Sequence, residues 1–159
     1  MYLAAIVAAN LSVATWGPSI SIVNAFLFIG FDLTCRDRLH ESWSGHNLAV
    51  RMTALIAAGG AISYLLNAGA GQIALASTVA FTVAAALDGA TYALLGDRGR
   101  MLRVNGSNVV GAAADSILFP TIAFGSLLPA IVLGQFVAKV GGGFLWSLIL
   151  ALPLRRRPV

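Results

Sequence analysis

IALASTVAFTVAAALDGATYALL, residues 73–95, decides the fold of this chain: 23 consecutive positions carry one charged residue, Asp88, and no proline. As a helix rising 1.5 Å per residue, the run is about 35 Å long, more than the roughly 30 Å hydrocarbon core of a bilayer. A helix that is apolar all round belongs in lipid or in a large core. A chain of 159 residues, 58% hydrophobic and only 10% charged, has no large core to offer. The run gives way at 96–103 to GDRGRMLR, which is basic and glycine-containing, as expected of a loop at the membrane surface.

Working outward, the same reading divides residues 1–159 into a single all-α transmembrane domain of about six helices. The expected spans are 2–15, 18–33, 52–66, 73–95, 109–127 and 129–154. Trp16-Gly17-Pro18 breaks the first run from the second, with a turn dipeptide next to an interfacial aromatic. Several runs fall below the ~20 residues that cross a bilayer, and the first is the weakest. No basic segment precedes it, so a cleaved signal peptide is not expected.

Nine of the ten basic residues are arginines, and they form three groups: Arg36, Arg38 and Arg51; Arg98, Arg100 and Arg103; Arg155, Arg156 and Arg157. With six spans all three groups fall on one side, while the connections at Trp16, Asn67 and Ser126 carry no charge. By the positive-inside rule the arginine-rich loops and the C-terminus are cytoplasmic, in a multi-pass protein of the inner (cytoplasmic) membrane. The net charge of +4 therefore needs no nucleic-acid partner. The single cysteine, Cys35, excludes an internal disulfide. Ala4/Ala8 and Ala5/Ala9 are spaced for close packing against a helix partner, within the chain or in an oligomer.

Ionisable groups inside spans are costly and normally face a cavity or a partner. Here they are Asp88, Asp115 and Lys139, with Asp32 at the end of the second run. Amides at Asn10, Asn24, Asn108 and Gln135 extend the set. Gln135 and Lys139 are four apart and share a helix face, as do Asn108, Gly111 and Asp115. Lys139 is expected to pair with Asp115 or Asp88. Two readings stay open: a structural ion pair that holds helices together, in a structural or pore-forming membrane protein, or a polar pocket for a small ligand. Chemistry of other kinds finds little support. His40, Glu41 and His46 share a loop without HExxH spacing, so no metal site is expected. Ser126 has no intramembrane histidine to activate it, and no enzyme activity or cofactor is implied.

The ordered set Asn10, Asp32-Leu33-Thr34-Cys35-Arg36, Ala76-Ser77, Ala80-Phe81, Leu87-Asp88, Ser107-Asn108, Asp115-Ser116, Phe119 and Phe136-Val137-Ala138-Lys139-Val140 resembles the VUT family of vitamin uptake transporters. It is most similar to the branch that imports queuosine precursors such as 7-cyano-7-deazaguanine. The resemblance implies a six-helix fold like the substrate-binding subunits of energy-coupling-factor transporters, with a pocket for a small planar heterocycle. By position it assigns Asn10, Asp32, Arg36, Asp88, Ser107, Asp115 and Lys139 to polar family positions, and Asn108 and Gln135 join them as candidate substrate-binding residues. Many members carry glutamine three residues before each intramembrane aspartate. This chain has Ala85 and Ala112 there, and Arg36 in place of a glutamate, which bears on which 7-deazapurine or other vitamin-like heterocycle is accepted. Such a ligand presents a donor edge to a carboxylate and a carbonyl to Lys139 or an amide.

Overall fold

A computed structural model describes residues 2–29, 31 and 47–151. Asp32, Arg36, the His40–His46 loop and the arginines at 155–157 lie outside the described residues. Among the described residues every regular element is helical. The order is α1 (Tyr2–Trp16), α2 (Ile20–Asn24) running into a π-helical segment (Ala25–Ile29), α3 (Leu48–Leu66), a 3-10 turn (Ala68–Ala70), α4 (Gly71–Leu94), α5 (Arg100–Phe124) and α6 (Pro129–Ala151).

The breaks follow from local chemistry. Gly17 takes φ 79° after Trp16 and Gly125 takes φ 70° after Phe124. Both are left-handed conformations that glycine adopts without a Cβ penalty, and both end a helix. Pro129 opens α6, where its missing N–H costs nothing. At the α3–α4 connection the Asn67 side chain accepts a hydrogen bond from the Gly69 N–H at 2.9 Å. The stretch read as a basic loop is shorter than its composition suggests, because α5 begins at Arg100 rather than at 109. Arginine, methionine and leucine at 100–103 are good helix formers, and only Gly96 to Gly99 stay outside the helix.

Three segments are long and apolar enough to cross a membrane: Ala68–Leu94, Leu102–Phe124 and Pro129–Trp146. Leu3–Trp16, Ile20–Ile29 and Thr53–Leu66 are apolar but shorter. At 15 residues α1 is about 22 Å long, so it reaches across only a thinned bilayer or with help from its flanks.

The helices pack in a closed circuit. α1 lies against α3, α3 against α4, α4 against α5, α5 against α6, α6 against the α2 and π-helical segment, and that segment against α1. Two clusters fix which ends lie together. Val13, Ile20, Ile73 and Ala123 meet at one end, joining the end of α1, the start of α2, the start of α4 and the end of α5. Ile6, Ile29, Ile56 and Phe81 form the other. The uncharged connections thus gather at the first end, and the Arg98–Arg103 connection, at the far ends of α4 and α5, lies at the opposite one. Ala5 and Ala9 are buried inside the bundle, while Ala4 stays exposed.

Glycine sets the closest approaches. A Cβ at Gly142 of α6 would sit 2.5 Å from the Phe26 carbonyl oxygen in the π-helical segment, so only glycine fits there. The same helix presents Gly134 to Ile22. α2 and its π-helical extension are therefore drawn tightly onto α6, and this contact positions one wall of the interior.

Candidate functional site

Inside the circuit lies a cavity whose lining includes Asn10, Ser21, Asn24, Ser77, Asp115, Gln135 and Lys139, with Phe81 and Phe119 as its ring faces. It is small in this conformation, about 30 Å³. That is room for about two waters.

Lys139 sits near the middle of α6 and is 2% exposed. An ammonium has three N–H donors and no acceptor. Lys139 Nζ lies 2.7 Å from Asp115 Oδ2, and donates to Gln135 Oε1 at 2.9 Å and to Ser116 Oγ at 3.2 Å. Every donor is therefore used. Pro120, one turn beyond Ser116 in α5, has no N–H to give to the Ser116 carbonyl. Gln135 passes the connection on, its Nε2 donating to Ser21 Oγ at 2.9 Å, and Ser21 in turn donates to the Pro18 carbonyl.

Asp115 is the asymmetric member of the pair. Oδ2 faces the ammonium, whereas Oδ1 is buried and has no hydrogen-bond partner among the described residues. A buried acceptor without a donor costs about 1–3 kcal/mol, more for a charged group. The arrangement therefore offers one open acceptor and no open ammonium donor. This differs from the expectation that Lys139 itself donates to a ligand: in this conformation it neutralises and orients Asp115.

The amides frame the opposite wall. Asn10 Nδ2 donates to Ser63 Oγ at 3.1 Å, and Ser63 Oγ donates to the Gly59 carbonyl at 2.8 Å. Asn24 Nδ2 donates to Ser12 Oγ at 2.6 Å and to the Ala9 carbonyl at 3.2 Å, tying α2 to α1. Ser63→Ala removes the acceptor of the buried Asn10 amide and should lower stability by about 1–3 kcal/mol. A fall of several degrees in the melting temperature of the detergent-solubilised protein is the expected reading, and no change would show that Asn10 finds another partner.

Of the nine candidate substrate-binding residues, the structure brings four to the cavity: Asn10, Asp115, Gln135 and Lys139. Asp32 and Arg36 lie outside the described residues. Asp88, Ser107 and Asn108 are not among the lining residues. Asp88 and Ser107 are instead buried nearer the arginine-rich end, where Gly111 brings α5 against Ala84 and Asp88 of α4. Lys139 thus pairs with Asp115. Ser21, Asn24 and Ser77 line the cavity without having been candidates. Asn24 gave a signal as an amide within an apolar run and Ser77 as part of the Ala76-Ser77 motif, whereas Ser21 gave none.

A family model described as a putative vitamin uptake transporter matches residues 16–153, from the end of α1 through α6. Asn10 precedes the matched stretch, whereas Asp115, Gln135 and Lys139 fall within it. No characterised protein and no solved structure matches the chain.

Proposed function

This chain belongs to the vitamin uptake transporter family, and we propose that it imports a queuosine precursor, 7-cyano-7-deazaguanine or a related 7-deazapurine, across the cytoplasmic membrane. The observation that carries the reading is the open Oδ1 of Asp115, held in the interior cavity beside a saturated ammonium, with Phe81 and Phe119 in the lining. A ligand that completes this site must bring N–H donors to a carboxylate and a flat face to phenyl rings. The aminopyrimidinone edge of a 7-deazaguanine supplies both.

On this reading the cavity is an occluded state, and its narrowness reflects closure rather than lack of a ligand site. A bicyclic heterocycle enters as Phe81 and Phe119 part and the Gln135–Ser21 link between α6 and α2 opens. The uncharged end then faces outward and the arginine-rich end the cytoplasm, in keeping with positive-inside placement. The six helices are read as the kind of bundle found in substrate-binding subunits of energy-coupling-factor transporters. Asn10 and Gln135 are assigned to the ligand's carbonyl and ring nitrogens.

The test is uptake. In cells unable to make 7-deazapurines, expression of the chain should restore queuosine in tRNA when 7-cyano-7-deazaguanine is supplied at low concentration. Membranes containing the protein with no restoration of queuosine would refute the substrate assignment.

A further inference from the structure

Outside the cavity, the most unusual polar arrangement is at the arginine-rich end of the α4–α5 pair. The Arg103 guanidinium carbon lies 3.9 Å from the centroid of the Tyr92 ring. Arg51 and Arg98 are exposed, as expected of arginines that only mark the membrane surface, whereas Arg103 is half-buried. Its Nε is buried and meets no hydrogen-bond acceptor among the described residues. Stacking on the tyrosine therefore holds this part of the guanidinium without the hydrogen bond that burial normally demands.

The surroundings suit a planar group with a donor edge. Asp88 precedes Tyr92 by one helical turn on α4, is 5% exposed, and so lies on the same face as the ring. The antiparallel register that sets Arg103 over Tyr92, Gly111 against Ala84 and Gln72 on the Ile122 carbonyl also brings Ser107 level with Asp88. Ser107 is 3% exposed. Aromatic face, carboxylate and hydroxyl thus meet at one level, repeating the ring-and-carboxylate chemistry of the central cavity.

The two polar levels share one helix pair. Ser107 and Asp115 are eight residues apart on α5, about 12 Å along its axis. Between them the α4–α5 interface is made of Ala84, Gly111 and Ala112, all buried and all small. A Cβ at Gly111 would lie 3.3 Å from the Ala84 carbonyl oxygen, so the two backbones touch there and α4 and α5 must part for a ring to pass.

We propose that Asp88, Tyr92 and Ser107 form a second, transit site for the same planar heterocycle on its way to the arginine-rich end, and that the Arg103 guanidinium occupies this site until the ligand displaces it. The inference rests on the function proposed above and extends it. Arg103 is a planar cation with N–H donors on its edge, as the ligand is a planar ring with N–H donors on its edge. Each can stack on Tyr92, so the two compete for one place, and the displaced guanidinium moves into solvent at the membrane surface.

Equilibrium binding of tritiated 7-cyano-7-deazaguanine to the purified full chain in detergent reads the proposal directly. The wild-type protein should bind one molecule per chain, at the central cavity, because Arg103 fills the second site. Arg103→Leu should raise the stoichiometry towards two, and adding Tyr92→Leu in that background should return it to one. Tyr92→Leu by itself should leave one-site binding unchanged while slowing uptake about tenfold, the loss expected for one aromatic stacking contact. Retention of central-site binding in each variant also shows that the protein is folded. Arg103→Leu binding only one molecule, or Tyr92→Leu transporting at the wild-type rate, would overturn the transit site and leave the central one standing. A wild-type protein that binds none would overturn both.

Discussion

Lys139→Met should reduce uptake of the 7-deazapurine about ten- to a hundredfold, the loss that follows from disturbing one charge-assisted interaction with a bound ligand. The single substitution also acts on folding. Asp115 Oδ2 faces the ammonium at 2.7 Å, and both side chains are buried. Removing one partner of a buried pair costs about 3–5 kcal/mol, because the remaining charge has no counterpart. Loss of uptake alone therefore does not separate a pocket from a structural pair. The double variant Asp115→Asn, Lys139→Met does. Replacing both members of a buried pair by well-packed apolar groups of similar volume is often neutral for stability. This exchange leaves no charge unpaired, and asparagine keeps the shape of the aspartate. The double variant should thus recover the melting temperature and membrane level that the single variant loses. It should not recover uptake, because the open carboxylate oxygen has become half of an amide. A double variant that is both stable and active would mean that the pair holds helices together and has no part in recognition.

The central pair was legible in the sequence because an aspartate and a lysine inside apolar runs have few physical excuses. What the sequence did not give was depth. Asp88 sits six residues before the end of α4, and Asp115 looks equally close to the start of the next helix if that helix begins at 109. It begins at Arg100, so Asp115 lies nine residues deeper than the apolar run suggests, about 13 Å along the axis. That displacement separates Asp88 from Asp115 and puts Asp88 beside Ser107. A helix that continues out of the lipid into its basic flank leaves no mark in hydropathy, because arginine is as good a helix former as leucine. Ser21 was illegible for a different reason. A hydroxyl in a membrane helix can bond to its own backbone at little cost, so its presence signals nothing until the neighbouring helix is in place. The asymmetry of Asp115, with one oxygen engaged and one open, depends on the Gln135 and Ser116 contacts that saturate Lys139, and only the packed structure contains it.

Among the described glycines, Gly142→Ala should be the most damaging change. The added Cβ would lie 2.5 Å from the Phe26 carbonyl oxygen and 3.1 Å from the Phe26 Cα. These are backbone atoms of the π-helical segment, so no rotamer change relieves the contact and the segment itself must move off α6. Overpacking of a close interface costs about 1–3 kcal/mol where side chains can adjust, and a clash with backbone belongs at or above the upper end. The consequence extends to the cavity, since Ala25 and Ile29 of the displaced segment line it together with Gln135 and Lys139 of α6. Gly141→Ala is the matched control. A Cβ at Gly141 meets nothing within 4 Å, and alanine is favoured over glycine in a helix by up to about 1 kcal/mol. The neighbouring substitutions should therefore shift stability in opposite directions, Gly141→Ala melting at or above the wild-type temperature and Gly142→Ala well below it with uptake impaired. Equal melting of the two variants would show that the π-helical segment does not rest on α6 as closely as the structure has it, and the wall it gives the cavity would have to be redrawn.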